Sequence, residues 1–167
     1  RLPAETHAVF ANVGRERPET LDFLVRCAEA WGVDLRWIER TPGGGFREVT
    51  PETASRDGEP LATLFRERRY LSNPVTRFCT ADGKIQTARD FMRARGYDHW
   101  TSAVGLRYDE PSRVHKLRAR DAGQWDVACP LYDAKVTKGH VAEFWSRQPF
   151  DLALKSWEGN CDLCFLK

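Results

Sequence analysis

The spacing of apolar residues at the start of the chain changes from a strand period to a helix period and back. Residues 7–13 (HAVFANV) form a short apolar run that predicts a buried strand. Pro18 suits the first position of a helix and Gly32 suits its end. The apolar stripe of this helix consists of Leu21, Leu24, Val25 and Ala28. Residues 33–39 (VDLRWIE) alternate as a second strand does, so the sequence predicts a βαβ unit with parallel strands.

The rest of the chain continues this alternation of strands and helices. We expect a short hairpin return at residues 46–50, a helix opened by Pro60, and strands at residues 99–106 and 126–131. A further helix is predicted from about residue 84 to residue 95, with an inward stripe of Ile85, Ala88, Phe91 and Met92. Thr137 is the expected N-cap of the last helix, and residues from 149 onwards have no periodic pattern.

These elements predict an α/β fold with a mainly parallel sheet flanked by helices and an irregular C-terminal tail that carries cysteines. With 167 residues, 41% hydrophobic and 30% charged, the chain has the size and composition of a single globular domain over residues 1–167. No apolar run approaches the length of a membrane span, and no signal peptide is visible. We therefore predict no membrane partner and a cytoplasmic location.

Two sets of residues are candidates for anion binding. Ligands of parallel sheets bind at the carboxyl ends of strands, where Asn12, Gly14 and Glu16 follow the first strand. Arg107 follows a later strand, and Arg113 lies in the first turn of the next predicted helix. Two arginines in this arrangement can hold a phosphate or sulfate from two sides, although an ordinary surface loop with ion pairs has the same pattern.

The cysteines suggest a metal centre. Cys161 and Cys164 form a Cys-x-x-Cys pair in one short turn, so both sulfurs can reach one metal. Cys79, in a loop just before a predicted helix N-terminus, is a candidate third ligand because that position favours a thiolate. Cys129 is a candidate fourth ligand, whereas Cys27 lies inside the first helix and is interpreted as a small buried thiol.

The order of these motifs resembles the phosphoadenosine phosphosulfate (PAPS) reductase family of adenine nucleotide alpha hydrolase-like proteins, in the branch found in phages and prophages. Residues 9–21 (VFANVGRERPETL) are similar to the second-strand motif of the family, and residues 105–107 (GLR) with Arg113 are similar to its Gly-Ile-Arg…Arg segment. Residues 130–133 (PLYD) resemble its Pro-Leu-x-Asp-Trp motif. Residues 159–164 (GNCDLC) and 78–84 (FCTADGK) match the positions of Gly-Cys-x-x-Cys and Cys-Cys-x-x-x-Lys in adenosine phosphosulfate (APS) reductases.

The resemblance implies a Rossmann-like fold and a [4Fe–4S] cluster held by cysteines. Cys79, Cys161 and Cys164 match ligand positions, but the fourth position is Phe78, which cannot ligate. Either Cys129 supplies the fourth thiolate or the cluster has one open iron. Zinc on the same cysteines is the alternative, since the ligand chemistry does not exclude it.

Two family features are not found in the sequence. The phosphate loop (Ser-Gly-Gly-x-x-Ser) belongs before Arg1, so we expect the first strand and this loop to be missing from the chain through truncation or disorder, in preference to loss in evolution. The C-terminal Cys-Gly segment that acts as nucleophile in sulfonucleotide reductases has no counterpart before Lys167. Reduction by that route is therefore in doubt.

The resemblance implies an oxidoreductase or sulfurtransferase that performs sulfur chemistry on an adenine nucleotide (PAPS, APS or ATP). The alternatives are ATP-dependent thiolation of tRNA or DNA and a non-enzymatic, zinc-stapled phage accessory or binding domain. Candidate partners are the adenine nucleotide, a nucleic-acid acceptor, a thiol electron donor and a second copy of the chain in a homodimer.

Overall fold

The computed structural model describes residues 5–119, 123, 125–155 and 157–164. These residues divide into two compact units. The first comprises Arg1–Arg95 with Leu152–Lys167, and the second comprises Gly96–Asp151. Helices and small sheets are mixed, as an α/β fold requires. The prediction that the whole chain is one domain stays a prediction.

The first unit is built on a three-stranded sheet in the order β1-β2-β3. The strands are β1 (Ala8–Asn12), β2 (Leu35–Arg40) and β3 (Phe46–Val49). β1 pairs with β2 in parallel, whereas β3 returns antiparallel to β2. The predicted βαβ unit is therefore confirmed, and the sheet is mixed. The parallel register sets Asn12 opposite Glu39 at the carboxyl end of the two strands.

The crossover helix α1 (Pro18–Trp31) begins and ends where the sequence predicts. Pro18 occupies its first turn, and Gly32 ends it in the left-handed conformation with φ 59°. Its buried face packs Leu21 against Trp37 of β2 and Ala54. This packing covers one face of the sheet and fixes the direction in which the chain enters α1.

The third helical region begins earlier than predicted. It runs through α3 (Phe78–Thr80), a π-helical segment (Ala81–Gln86) and α4 (Thr87–Ala94), after helix α2 (Glu59–Arg68). Cys79 therefore lies in the first helical turn and not in a loop, because its N–H donates to the hydroxyl of Ser72 at 3.1 Å and Phe78 is buried.

The π-helical segment also overturns part of the predicted apolar stripe. Ile85 is 41% exposed, although Phe91 is fully buried as expected. The wider turn changes the angular step between residues, so a regular period of 3.6 does not predict which side chain points inward. Buried Gly83 faces the core instead, where an added Cβ would lie 3.3 Å from Val13.

The second unit has a two-stranded parallel sheet of β4 (Trp100–Ala103) and β5 (Trp125–Ala128). Its helices are α5 (Pro111–Arg118), α6 (Pro130–Asp133) and α7 (Lys138–Ser146). Leu106, Val114 and Cys129 form the buried core. The side chain of Thr137 accepts from the N–H of His140 and caps α7, which confirms the predicted start of this helix.

In the part of the chain that the structure describes, no helix has the length and apolar character that crossing a membrane requires.

A fully buried carboxylate joins the strand ends of the first unit. Glu39 Oε1 accepts from Asn12 Nδ2 and from the Ser55 N–H, each at 2.6 Å. Glu39 Oε2 accepts from Arg47 Nη2 at 2.7 Å. Asn12 Oδ1 in turn accepts from the Gly14 N–H at 3.0 Å. The network thus links β1, β2, β3 and the segment before α2 through hydrogen bonds to one side chain.

We expect Glu39→Gln to lower the free energy of unfolding by about 3 kcal/mol, because the new amide would present a donor to groups that already donate. Glu48→Gln is the matched control, since Glu48 on β3 is 43% exposed in its side chain and pairs with Arg95 at the surface. It should cost less than about 1 kcal/mol. Urea unfolding at pH 7 measures both, and equal losses would contradict the role of Glu39.

Candidate functional site

The loop after β1 is held in one conformation by hydrogen bonds from a buried side chain and by close backbone packing. Asn12 is fully buried, and its amide bonds Glu39, the Ser55 carbonyl and the Gly14 N–H. Gly14 has φ 79°, and a Cβ there would lie 2.8 Å from Ser55 Oγ and 3.0 Å from Gly58 Cα. Asn12 therefore positions the loop through its own hydrogen bonds, while Gly14 allows the segment before α2 to approach the backbone.

Glu16 fastens the same loop to the π-helical segment. Its side chain is 2% exposed, and Oε1 lies 2.9 Å from Lys84 Nζ. Oε2 accepts from the N–H groups of Val13 at 3.1 Å and Arg15 at 3.3 Å. The carboxylate is thus committed to the protein, and the Lys84 ammonium, 40% exposed, is the more accessible charge of the pair.

The C-terminal tail folds back onto this loop. The Arg17 N–H donates to the Asn160 carbonyl at 2.9 Å, and the Asp162 N–H donates to the Arg15 carbonyl at 2.9 Å. Cys161 forms an isolated antiparallel bridge with Glu16 between these two bonds. The Arg17 side chain adds an ion pair to Asp162, with Nε and Oδ1 3.3 Å apart. These contacts bring the Cys-x-x-Cys to the carboxyl end of β1.

The Cys161 thiol lies among charged groups. Burial raises its pKa above the ordinary value of a thiol, the N–H of Leu163 lowers it, and the nearby Glu16 carboxylate raises it again. The Lys84 ammonium lowers the pKa and the Cys164 thiol raises it, with an increase as the net result. Cys161 is therefore a protonated thiol at neutral pH, beside a cation that favours its ionisation.

Cys79 belongs to the same unit but has an apolar environment. It packs against the buried cluster of Val13, Leu61, Leu64 and Phe78. Within residues 5–119, 123, 125–155 and 157–164, no group of three or more His, Cys, Asp or Glu side chains is placed to hold a metal ion. The set of Cys79, Cys161 and Cys164 as metal ligands stays a prediction.

The other two thiols have separate surroundings. Cys129 is fully buried in the core of the second unit with Leu106 and Val114. Its role as fourth ligand stays a prediction. Cys27 lies in α1, where burial raises the pKa of its thiol, but the residue is only partly buried and not the fully buried thiol that the sequence predicts.

Arg107 and Arg113 converge on one carboxylate in the second unit. Arg107 Nη2 lies 3.3 Å from Glu110 Oε2, and Arg113 Nη1 pairs with Glu110 Oε1. Arg107 Nε also contacts Asp109 Oδ1 at 3.1 Å. Burial alone would raise the pKa of Glu110, but the Arg107 N–H and the charges of Arg113 and Arg107 together hold it below its ordinary value. The two arginines converge as the sequence predicts, but the anion between them is the carboxylate of Glu110.

Three residues that shape the first unit were not predicted from the sequence as part of the site. Glu39 ends an alternating strand, and a charged residue at the carboxyl end of a predicted parallel strand is the signal that could have found it. Lys84 closes the FCTADGK motif but was not assigned to the site. Arg17, which holds Asp162, has no signal in the sequence because its partner is far away along the chain.

We expect Gly14→Ala to destabilise the protein by about 2–4 kcal/mol, because the new Cβ meets Ser55 and Gly58 and the backbone has a positive φ. Gly32→Ala is the matched control, since Gly32 also has a positive φ but nothing lies within 4 Å of an added Cβ. It should cost about 1 kcal/mol. Urea unfolding compares the two variants, and equal costs would show that the close approach at Gly14 is unimportant.

Glu110 should make the stability of the second unit sensitive to acid. Because the folded state holds its pKa below the ordinary value, its ion pairs stabilise the protein above about pH 4.5 and are lost as the pH falls through the lowered pKa. Glu110→Gln should therefore be less stable than the unchanged protein at pH 7, with a smaller difference at about pH 3. Urea unfolding at both pH values tests this, and a difference that does not change with pH would contradict it.

Comparison with known proteins gives one distant relative. The chain is 24% identical over 176 aligned positions to the "Uncharacterized nin region protein ORF290" of Escherichia phage lambda. The alignment covers all of this chain and 58% of that protein, so the chain spans little more than half the length of this relative. No protein-family model matches the chain, and no solved structure matches it. The similarity is to a phage protein.

Proposed function

We propose that this chain is a PAPS reductase-like domain of the Rossmann-like, adenine nucleotide alpha hydrolase-like type. In this proposal it binds an adenine nucleotide and carries out sulfur chemistry, either as an oxidoreductase or as a sulfurtransferase. The motifs over residues 9–21, 78–84, 105–113 and 159–164 motivate the proposal. The phage protein to which the chain is similar is consistent with the phage branch of that family.

One observation carries most of the argument. The tail sets Cys161 against Glu16, directly after β1, through two backbone hydrogen bonds and a bridge. Ligands of parallel βαβ units bind at this edge of the sheet. A thiol held there, with the Lys84 ammonium near enough to favour its ionisation although burial raises its pKa, suits sulfur chemistry on a bound nucleotide.

The residues of the loop have distinct parts in this proposal. Gly14 lets the segment before α2 pack against the loop, and the buried Asn12–Glu39 pair keeps the loop backbone in place. Lys84 supplies the partly exposed positive charge, which can neutralise a nucleotide anion or stabilise the Cys161 thiolate. Glu16 orients Lys84 and does not itself contact the ligand.

Arg107 and Arg113 are the proposed anion-binding side chains of the second unit. Both guanidinium groups already face one oxygen-bearing group, the Glu110 carboxylate. A phosphate or sulfate offers the same forked geometry with more charge, so it can replace Glu110 as their partner.

An iron–sulfur cluster is part of the resemblance, with zinc as the alternative. The described thiols do not form a set of three that fits either group, because Cys79 packs in an apolar cluster and only Cys161 and Cys164 share a turn. No step proposed above uses a metal. Metal and sulfide analysis of protein purified without oxygen distinguishes about four irons with matching sulfide from about one zinc.

We expect Arg107→Gln to weaken binding of PAPS, APS or ATP by about tenfold or more, because a charge-assisted hydrogen bond to the anion is lost. Arg147→Gln is the matched control: Arg147 is 72% exposed and pairs only locally with Glu143 in α7. Isothermal titration of each nucleotide into the full chain measures both variants. If none of the three nucleotides binds the unchanged protein, the proposed function fails; if both variants bind equally well, Arg107 is removed from the site.

A further inference from the structure

The structure divides the arginines of the chain into paired and unpaired groups. In the second unit, Arg107 and Arg113 pair with Glu110, and Arg118 pairs with Asp133 at 2.6 Å. The first unit contains both kinds, since Arg17, Arg47 and Arg68 are paired with carboxylates. Three arginines near the end of α2 and the start of α3 have no ion-pair partner within the described part of the chain: Arg66, Arg69 and Arg77.

The acidic residues near these arginines are already engaged. Asp82 pairs with Arg68, and Glu67 pairs with Arg40 at 2.8 Å. No acidic residue occurs between Arg69 and Arg77 in the sequence. Among the described residues, the charges of Arg66, Arg69 and Arg77 are therefore not neutralised by a carboxylate.

The two ends of the segment are brought together by an aromatic contact. The rings of Tyr70 and Phe78 meet edge to face with centroids 5.1 Å apart. Each ring directly follows one of the arginines, so Arg69 and Arg77 flank the same contact. We refer to residues 66–77, which comprise the end of α2 and the segment that follows it, as the arginine loop.

The arginine loop also has a fixed turn and an exposed apolar rim. Asn73 Oδ1 accepts from the N–H groups of Val75 at 3.0 Å and Thr76 at 2.9 Å. Tyr70 is 47%, Leu71 67% and Val75 93% exposed. Uncompensated guanidinium groups next to an accessible aromatic ring are the features with which proteins bind single strands of nucleic acid.

The stability of the helices accounts for only part of this charge. Arg66 lies in the last turn of α2 and Arg69 at its C-cap, where a cation interacts favourably with the helix dipole. Arg77 precedes α3, at the positive end of the next helical region, where a cation is unfavourable. Its position costs stability, and no carboxylate in the described part of the chain pairs with it to offset that cost.

We propose that the arginine loop binds single-stranded nucleic acid. Arg66, Arg69 and Arg77 contact successive backbone phosphates, and the exposed face of Tyr70 stacks on a base. A lipid surface fits less well, because polybasic membrane sites use clusters of about four to eight cations, whereas one of the four arginines of this loop, Arg68, is already paired with Asp82. The inference is independent of the proposed function, since nucleotide binding after β1 requires none of these side chains.

The test compares two triple variants of equal charge. Arg66→Gln/Arg69→Asn/Arg77→Gln removes the unpaired arginines, with Asn at position 69 because it tolerates the φ of 61° there. Arg36→Gln/Arg118→Gln/Arg147→Gln removes three exposed arginines that are paired with carboxylates. Both take the formal net charge from +2 to −1. Fluorescence anisotropy of labelled RNA and DNA oligonucleotides of about 20 nucleotides is measured over a range of salt concentrations.

We expect the loop variant to lose at least tenfold in affinity and the control variant to lose little. The slope of log K against log salt should fall by about two in the loop variant, the value for three phosphates on a single strand. Arg77→Gln alone should lose several-fold in affinity with an unchanged or higher melting temperature, which separates binding from folding. Equal losses in both triple variants, no binding by the unchanged protein, or binding only to anionic vesicles would each overturn the proposal.

Discussion

The fully buried Glu39 carboxylate is the interaction on which the first unit depends. A buried negative charge is tolerated only when hydrogen-bond donors surround it. The donors to Glu39 are the Asn12 amide, the Ser55 N–H and the Arg47 guanidinium. Each donor comes from a different part of the chain. Satisfying one carboxylate therefore fixes the carboxyl end of β1, the hairpin strand β3 and the segment before α2 at the same time. The loop after β1 gains its shape from this network before any ligand is present.

The C-terminal tail uses that fixed loop as its support. Its contacts are mainly backbone hydrogen bonds to Arg15 and Arg17 and an ion pair between Arg17 and Asp162, since no buried apolar residue anchors the described tail. Such contacts hold a short segment only if the receiving backbone is rigid. The position of Cys161 therefore depends on the network around Glu39, because that network fixes the loop to which the tail is hydrogen-bonded. The charges near its thiol, Glu16 and Lys84, are fixed by the same loop.

The local pattern of the sequence predicted the βαβ unit, because Pro18, Gly32 and the change of apolar period act within a few residues of the elements they define. It failed where distant contacts decide. Cys79 is helical because Ser72 caps its N–H and Phe78 is buried, and the π-helical segment turns Ile85 outward. The sequence also identified the Cys-x-x-Cys of the tail as a candidate site. It did not predict that the tail binds the loop after β1, because a bridge between Glu16 and Cys161 has no effect on the local periodicity of the sequence.

The two arginine-rich regions are alike in the sequence and differ in the structure. In the second unit, Glu110 neutralises Arg107 and Arg113, so a ligand must displace a protein carboxylate to reach them. That exchange favours a compact anion of higher charge, such as a phosphate or sulfate group. In the arginine loop, Arg69 and Arg77 have no described carboxylate to displace, so a polymer with one charge per unit can bind without that cost. In the two proposals, the pairing of each arginine, which the sequence does not reveal, is therefore what distinguishes a site for a small anion from a site for an extended one.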